Sequence, residues 1–123
     1  MDIVGYLDKS KAEVDKAIGK YIPREFTKEK AEFVFGKASY SYDTKALTES
    51  LSKPVWDLLD RGGKRWRPGL LLLVAEAFGL KPAGVVDFAA LTETLHNGSL
   101  MVDDIEDSGE TRRGKPCVHK LFG

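Results

Sequence analysis

The feature that most constrains the fold is a long, mostly apolar segment, residues 83 to 107, that ends in a cluster of acids. Five acidic residues lie between positions 103 and 110, and three basic residues follow between 112 and 115. The apolar pattern predicts a central helix that emerges from a core at its acidic end. On a helix that turns about 100° per residue, Asp103 and Asp107 share a face, and Asp104 points about 100° away.

Polar side chains continue this face toward the start of the helix. Within about 80° on the helical wheel lies a polar stripe formed by Thr92, His96, Ser99, Asp103 and Asp107. Leucine and valine side chains lie beside it, at Leu91, Leu95 and Val102. A core histidine with satisfied hydrogen bonds and a solvated helix end would explain the stripe without a ligand. A binding site explains it equally well.

The chemistry of the acids indicates which ligand such a site would bind. Oxygen-only carboxylate pairs suit Mg²⁺, which keeps several waters and takes further ligands from substrate phosphates. Arginines directly after the acids can bind the same phosphates with their planar guanidinium groups. A calcium loop of the EF-hand type starting at Asp104 is excluded, because Lys115 occupies the twelfth position, where a bidentate Glu is required. The acids and bases together indicate a site for a magnesium diphosphate.

A second basic cluster surrounds Gly62 and Gly63, and its members are Arg61, Lys64, Arg65 and Arg67. A solvated basic loop is the simpler explanation when this segment is considered alone. It is not a P-loop, because no GxxxxGK[ST] pattern surrounds it. Beside a helix with magnesium-binding acids, it predicts a second anion site that Lys and Arg hold without metal.

The remaining segments predict further helices. An amphipathic helix of about five turns is expected from Ile3 to Tyr21, before Pro23, and a short helix with a loop is expected in residues 24 to 43. A helix capped near Ser52, with Pro54 in its first turn, should end at the glycine pair. Pro68 should begin a helix that is buried all round, because residues 70 to 78 are apolar on nearly every side. Another helix should begin after Pro116.

Composition limits the possible partners and compartment. Nineteen basic residues balance nineteen acidic ones, so no net field favours nucleic acid or an anionic membrane. The single cysteine, Cys117, excludes an internal disulfide and is typical of a reducing cytoplasm. The longest uninterrupted apolar run, Leu70 to Ala75, is too short to cross a bilayer. We therefore expect a soluble cytoplasmic protein with no nucleic-acid partner and no stable membrane insertion.

Two segments resemble motifs of the trans-isoprenyl diphosphate synthases. The first runs from Glu93 through the acids DDIED and the segment RRGKP to His119, and it resembles the first aspartate-rich region of that family. The second, GGKRWRP at residues 62–68, lies upstream in the family's order. Within that family, the region from Glu93 to His119 looks most like the geranylgeranyl diphosphate synthases. The resemblance covers nearly the whole chain but only the amino-terminal part of the family pattern.

The resemblance implies an all-α fold, the N-terminal helices of the isoprenoid synthase helical bundle, with residues 1–123 as the N-terminal portion of a single domain. It implies a prenyltransferase in which an allylic diphosphate, held by Mg²⁺, ionises and isopentenyl diphosphate attacks the cation. Carried over by position, the metal ligands are Asp103 and Asp107, with Asp104 in support. Substrate-binding residues would be Arg112 for the allylic diphosphate, and Lys64, Arg67, His96 and Arg113 for isopentenyl diphosphate. No side chain acts as a nucleophile.

The family also implies a product length and a homodimer. In shorter-product members an aromatic residue four or five positions before the first aspartate closes the elongation pocket. Here those positions are Ser99 and Gly98, both small, so geranylgeranyl diphosphate is the expected product. Members of the family form homodimers largely through central helices.

One departure from the family pattern leaves alternatives open. The second aspartate-rich motif and a downstream lysine of the family have no counterpart in this chain. We therefore expect an incomplete fragment, or a natural half, that is inactive alone. The alternatives are a non-catalytic, dimerising subunit that regulates a prenyl diphosphate synthase, and a helical interaction module with vestigial motifs.

Overall fold

The computed structural model describes residues 2–123, which form a set of α-helices and one small hairpin. The α-helices are α1 (Ile3–Tyr21), α2 (Lys28–Phe35), α3 (Thr44–Leu47), α4 (Lys53–Asp60), α5 (Trp66–Ala77), α6 (Val86–Glu106) and α7 (Val118–Phe122). Two strands, β1 (Thr111–Arg112) and β2 (Lys115–Pro116), pair antiparallel between α6 and α7. The predicted all-α class is confirmed, and the hairpin is an addition that the sequence did not predict.

Helix α1 agrees with its prediction. The Asp2 carboxylate accepts a hydrogen bond from the Val4 amide at 3.0 Å and caps the first turn. The helix buries Val14 and Ile18, and it ends before Pro23 because that proline disfavours helical backbone in the residue before it. The short helix expected in residues 24 to 43 is α2.

The core lies where α1, α5 and α6 pack against one another and α4 joins them. Its buried members are Val14, Ala17, Ile18, Trp56, Leu59, Leu72, Ala89 and Ala90. The Trp56 indole donates a hydrogen bond to the Ile22 carbonyl at 2.8 Å, which fixes α4 against the end of α1. The small side chains of Ala89 and Ala90 bring α6 close to its neighbours, so α6 is the element around which the others assemble.

Helix α4 begins at Lys53 with Pro54 in its first turn, as predicted, but the predicted capping by Ser52 is wrong. Ser52 lies inside a longer helical segment, and its hydroxyl donates to the Pro23 carbonyl instead of capping a helix. Asp43 caps the segment, accepting from the Ala46 amide at 2.9 Å. A π-helical turn, Thr48–Ser52, then leads into α4. The wider turn has a physical reason, since Pro54 has no amide hydrogen and its ring would collide with the carbonyl four residues earlier in a regular α-helix.

The prediction that residues 70 to 78 are buried all round is also wrong. Helix α5 begins at Trp66, and it buries Leu72 against α1 and α6. Its opposite side is open, with Leu70 49% and Val74 47% exposed. The apolar pattern shows which side chains avoid water, but residues 2–123 supply helices to cover only one side of α5.

Helix α6 matches the predicted central helix and presents three different faces. The buried face carries Ala89, Ala90, Glu93, Asn97 and Asp104. The polar stripe lies beside it, and an exposed apolar stripe follows, made of Phe88, Leu91, Leu95, Val102 and Ile105. Helix α7 confirms the helix expected after Pro116. None of the helices in residues 2–123 combines the length and hydropathy that crossing a bilayer requires.

Candidate functional site

Asp103 and Asp107 lie at the open end of α6. The Asp107 amide donates to the Asp103 carbonyl at 2.8 Å, so the two side chains are one helical turn apart, and both residues are exposed. Within residues 2–123, no three His, Cys, Asp or Glu side chains come close enough to hold a metal ion by themselves. The pair therefore offers two carboxylates and leaves the remaining coordination positions to other ligands.

Asp104 has a different role, because it points into the protein. It is 5% exposed and its Oδ2 accepts a hydrogen bond from Arg112 Nε at 2.7 Å. This hydrogen bond is the main reason that the pKa of Asp104 lies below its usual value. Asp104 thus holds Arg112 beside the acidic end of α6.

The hairpin that carries Arg112 docks on the glycine loop, residues 61–65. Arg113 (φ 52°) and Gly114 (φ 76°) form its two-residue turn, and positive φ at both positions is typical of a type I′ turn. Arg113 Nη1 donates to the Leu58 carbonyl at 3.1 Å and to the Gly62 carbonyl at 2.9 Å. Arg61 Nη1 donates in return to the Arg112 carbonyl at 3.0 Å. The two motifs, separate in the sequence, are therefore in contact.

The four bases in and next to the glycine loop divide into two pairs; Arg67 lies just beyond the loop, in the first turn of α5. Arg61 is bound to Asp57, and Arg65 is buried among carboxylates, so both hold the loop in place. Lys64 and Arg67 are exposed, and the Arg67 guanidinium lies 4.6 Å from the centre of the Trp66 ring. Only Lys64 and Arg67 are therefore free to bind an anion from solvent, whereas the sequence suggested a cluster of four.

His96 connects the polar stripe to these bases. It is half-buried on α6, and its pKa is lowered by burial and then by the positive charge of Arg67. The negative charge of Glu93 acts in the opposite direction, and Arg113 and Arg112 lower the pKa further. The charges of Arg67, Arg112 and Arg113 therefore all act on His96. A neutral imidazole there can donate a hydrogen bond to an anion.

The polyprenyl synthetase model matches residues 48–123, which contain the glycine loop, the polar stripe and the hairpin. The chain belongs to the polyprenyl synthetase family. Its similarity to the geranylgeranyl diphosphate synthase of Methanosarcina mazei is 45% identity over 75 residues, or 61% of this chain and 23% of the relative. No solved structure matches the chain.

Other polyprenyl synthetases resemble the chain over different lengths. The farnesyl diphosphate synthase of Geobacillus stearothermophilus is 34% identical over 125 residues, covering 100% of this chain and 35% of the relative. The solanesyl diphosphate synthase 1 of Arabidopsis thaliana is 47% identical over 68 residues, covering 50% of this chain and 17% of the relative. The chain thus spans about a third or less of these relatives, whose names refer to three different products.

Polyprenyl synthetases in general use Mg²⁺, and the acidic end of α6 fits that ion. Asp103 and Asp107 offer oxygen ligands only, both are exposed, and neither forms a salt bridge within residues 2–123. Hard divalent cations with few protein ligands complete their coordination with water and phosphate oxygens.

A buried polar network behind the loop escaped sequence reasoning. Arg65 Nε donates to Asp15 Oδ1 at 3.0 Å, and Arg65 Nη1 lies 3.3 Å from Glu93 Oε1. Asn97 Nδ2 donates to the same Glu93 oxygen at 2.7 Å. One signal was present in the sequence: Glu93 lies on the face of α6 that carries Ala89 and Ala90, where an unpaired carboxylate would be costly.

Proposed function

We propose that this chain forms one wall of the active site of a prenyltransferase that adds isopentenyl diphosphate to an allylic diphosphate, with geranylgeranyl diphosphate as the product. The observation that carries the proposal is the contact between the two motifs, in which Arg113 binds the Gly62 carbonyl. It supports two anion subsites side by side, a basic one at the glycine loop and an acidic one at the end of α6.

The basic subsite suits isopentenyl diphosphate. Lys64 on the loop and Arg67 at the start of α5 are exposed to solvent, and the hairpin places Arg113 on the loop. His96 on α6 lies within the influence of the Arg67 charge. Positive charge and N–H donors bind a diphosphate without a metal. The diphosphate of isopentenyl diphosphate is not a leaving group in this reaction. Binding it without a metal therefore orients the double bond of the substrate and does not promote cleavage of its carbon–oxygen bond.

The acidic subsite suits the allylic diphosphate. Asp103 and Asp107 would hold Mg²⁺, which when bound stabilises negative charge on the leaving diphosphate. Arg112, fixed by Asp104, would bind the same diphosphate. The carbon–oxygen bond of the allylic substrate breaks, a carbon–carbon bond forms to isopentenyl diphosphate, and a proton leaves the product. The protein orients the two substrates and excludes water, and no residue becomes covalently attached to a substrate.

The product proposal rests on the surface of α6 that precedes the acids. Ser99 is exposed, and within residues 2–123 a Cβ at Gly98 would meet no atom within 4 Å apart from its chain neighbours and the backbone of its own helix. Leu95 and Leu91 continue this surface away from the acids. A growing apolar chain would find space and apolar contacts there, which favours a product longer than farnesyl diphosphate.

We also propose that the protein acts in the cytoplasm as a homodimer. The single cysteine is buried and unpaired, as expected in a reducing compartment. The exposed apolar stripe of α6 places five large apolar side chains in contact with water, and large exposed apolar patches mark interaction surfaces.

Binding measurements on the chain test the two-subsite arrangement. Calorimetric titration with isopentenyl diphosphate, and separately with geranyl diphosphate and Mg²⁺, gives a dissociation constant for each. Lys64→Ala should weaken the first by about tenfold or more, the loss of one charge-assisted hydrogen bond, and leave the second nearly unchanged. Lys9→Ala, an exposed lysine of α1, is the control. Equal weakening of both ligands by Lys64→Ala would contradict the arrangement.

A further inference from the structure

Arg65 has an unusual backbone and an unusual location. It lies between the exposed bases Lys64 and Arg67, yet it is 3% exposed. Its φ of 49° places it in the left-handed region, which a residue with a Cβ rarely occupies. Such a conformation persists when the surrounding contacts favour it strongly enough to offset its strain.

Those contacts come from three separate helices. The Arg65 guanidinium donates from Nε to Asp15 of α1 at 3.0 Å and from Nη2 to the Leu59 carbonyl of α4 at 2.9 Å. Its Nη1 faces Glu93 of α6 at 3.3 Å. All three guanidinium nitrogens are therefore occupied, each by a different element of the fold.

The contact with Glu93 links the loop to the diphosphate site. Glu93 precedes His96 by less than one helical turn, so anything fixed to Glu93 is fixed relative to His96. Glu93 is itself held, because its Oε1 also accepts from Asn97 Nδ2 at 2.7 Å. Arg65 is therefore a direct side-chain link between the segment that carries the two exposed bases and the part of α6 that carries the histidine.

We infer that Arg65 is a positioning residue for the basic subsite: its buried bridge to Asp15, Leu59 and Glu93 holds Lys64 and Arg67 at a fixed distance from His96. The inference rests on the proposed function, since it assigns a purpose to the subsite for isopentenyl diphosphate. Arg65 itself does not touch that ligand, because its guanidinium points into the protein and is fully engaged.

The chemistry of arginine explains why this position needs its planar fork. A lysine would keep the positive charge but has one nitrogen, which cannot reach three acceptors in three directions. With the bridge broken, the left-handed backbone loses its support and the loop gains freedom. Binding then has to order the loop again, and the ligand affinity falls.

The test uses Arg65→Lys in the 123-residue chain, with two readouts. Arg65→Lys should weaken isopentenyl diphosphate about tenfold or more, with little change for geranyl diphosphate and Mg²⁺. Backbone amides of residues 62–67 should exchange with deuterium faster than in the wild type. Glu93→Gln keeps an acceptor oxygen without the charge and should fall between wild type and Arg65→Lys in both readouts.

Ile18→Val is the matched control, because it removes a buried methylene from the core without touching the loop. It should lower overall stability and leave both the affinity and the loop exchange unchanged. Wild-type affinity or wild-type loop exchange in Arg65→Lys would overturn the inference, as would equal effects of Arg65→Lys and Ile18→Val. Failure of the wild-type chain to bind isopentenyl diphosphate would instead overturn the proposed function. In that case there would be no subsite for Arg65 to position.

Discussion

Arg112 and Asp104 are joined by a hydrogen bond of 2.7 Å between Nε and Oδ2, with the carboxylate buried at the last turn of α6. The hairpin is therefore attached directly to the helix that carries the two acids proposed to bind metal. Asp103 and Asp107 face solvent on either side of a residue that faces inward. One acidic cluster thus supplies two exposed carboxylates, the proposed metal ligands, and the anchor for the arginine that follows.

The Asp104 anchor predicts a stability effect. Asp104→Asn should destabilise the chain by about 2 kcal/mol, because Arg112 would lose a charge-assisted partner in a half-buried setting. Denaturant titration measures this loss. Asp60→Asn, which disrupts an exposed pair with Arg24, should cost about 1 kcal/mol or less.

Cys117 provides an independent measure of the same anchor. Burial, and then its hydrogen bond to Asp104, raise the pKa of the Cys117 thiol, so its reaction with a thiol reagent at neutral pH should be slow. Asp104→Asn should accelerate labelling by loosening the hairpin. Unchanged stability together with unchanged labelling would show that the anchor is not important.

The acidic end of α6 predicts cation binding that depends on diphosphate. Mn²⁺, detected by electron paramagnetic resonance in place of Mg²⁺, should bind more tightly when inorganic pyrophosphate is present. Asp103→Asn should weaken that binding about tenfold or more, because one of two carboxylate ligands is lost. Asp8→Asn on α1 removes an equal charge from an exposed site and should have little effect. Equal effects of both variants would indicate only general electrostatics.

His96 predicts a pH dependence of stability. Burial and then Arg67 lower its pKa in the folded chain, so the unfolded chain binds the proton more readily. The contribution of neutral His96 is therefore complete above about pH 6.5, the unfolded value, and is lost as the pH falls through the lower folded value. His96→Gln should reduce the loss of unfolding free energy between pH 7.5 and about pH 5. An identical pH dependence in both proteins would contradict the assignment.

The apolar stripe of α6 predicts self-association without sustained catalysis. Leu95 is 65% exposed, and its neighbours on the stripe are also open to solvent. Analytical ultracentrifugation of residues 1–123 should show oligomers. Leu95→Lys should disrupt them, whereas Phe78→Lys, next to the end of α5, should leave them intact.

With both diphosphates and Mg²⁺ the chain should not sustain prenyl transfer, because residues 2–123 bring only two carboxylates to the metal and leave the apolar stripe open to water. Sustained product formation would show that copies of the chain assemble a working site.

Product length can be tested in a chimera in which this chain replaces the matching segment of the Geobacillus stearothermophilus farnesyl diphosphate synthase. The chimera should make a product longer than farnesyl diphosphate, and Ser99→Phe should shorten it by filling the space before the acids. Ser39→Phe, in a loop distant in sequence, is the control. Chromatography of the dephosphorylated products measures both effects. An unchanged product distribution in Ser99→Phe would show that the side chain at position 99 does not limit product length.

Much of this chain was predictable because local patterns carry the information. The bounds of α1 and α6 follow from apolar periodicity and from Pro23, which act within a few residues. The placement of Asp103 and Asp107 on one face follows from helix geometry alone. The motifs at residues 62–68 and 103–116 are equally local, and their residue types and order are enough to indicate the family and the class of ligand.

Other features depended on contacts between distant residues, and no local pattern encodes them. Serine is a residue type that often caps helices, but the hydroxyl of Ser52 donates its hydrogen bond to the Pro23 carbonyl on another segment. Helix α5 is apolar on nearly all sides, yet the packing of α1 and α6 decides which side is buried.

The bases show the same division most clearly. Lys64 and Arg65 are adjacent and equally charged, and only the tertiary structure assigns Lys64 to solvent and Arg65 to Glu93, 28 positions away. The physical reason is that burying a charged side chain is costly unless an opposite charge in the interior pairs with it. The sequence by itself determined which charges were available; the packing of three helices decided which of them became structural and which remained free for a ligand.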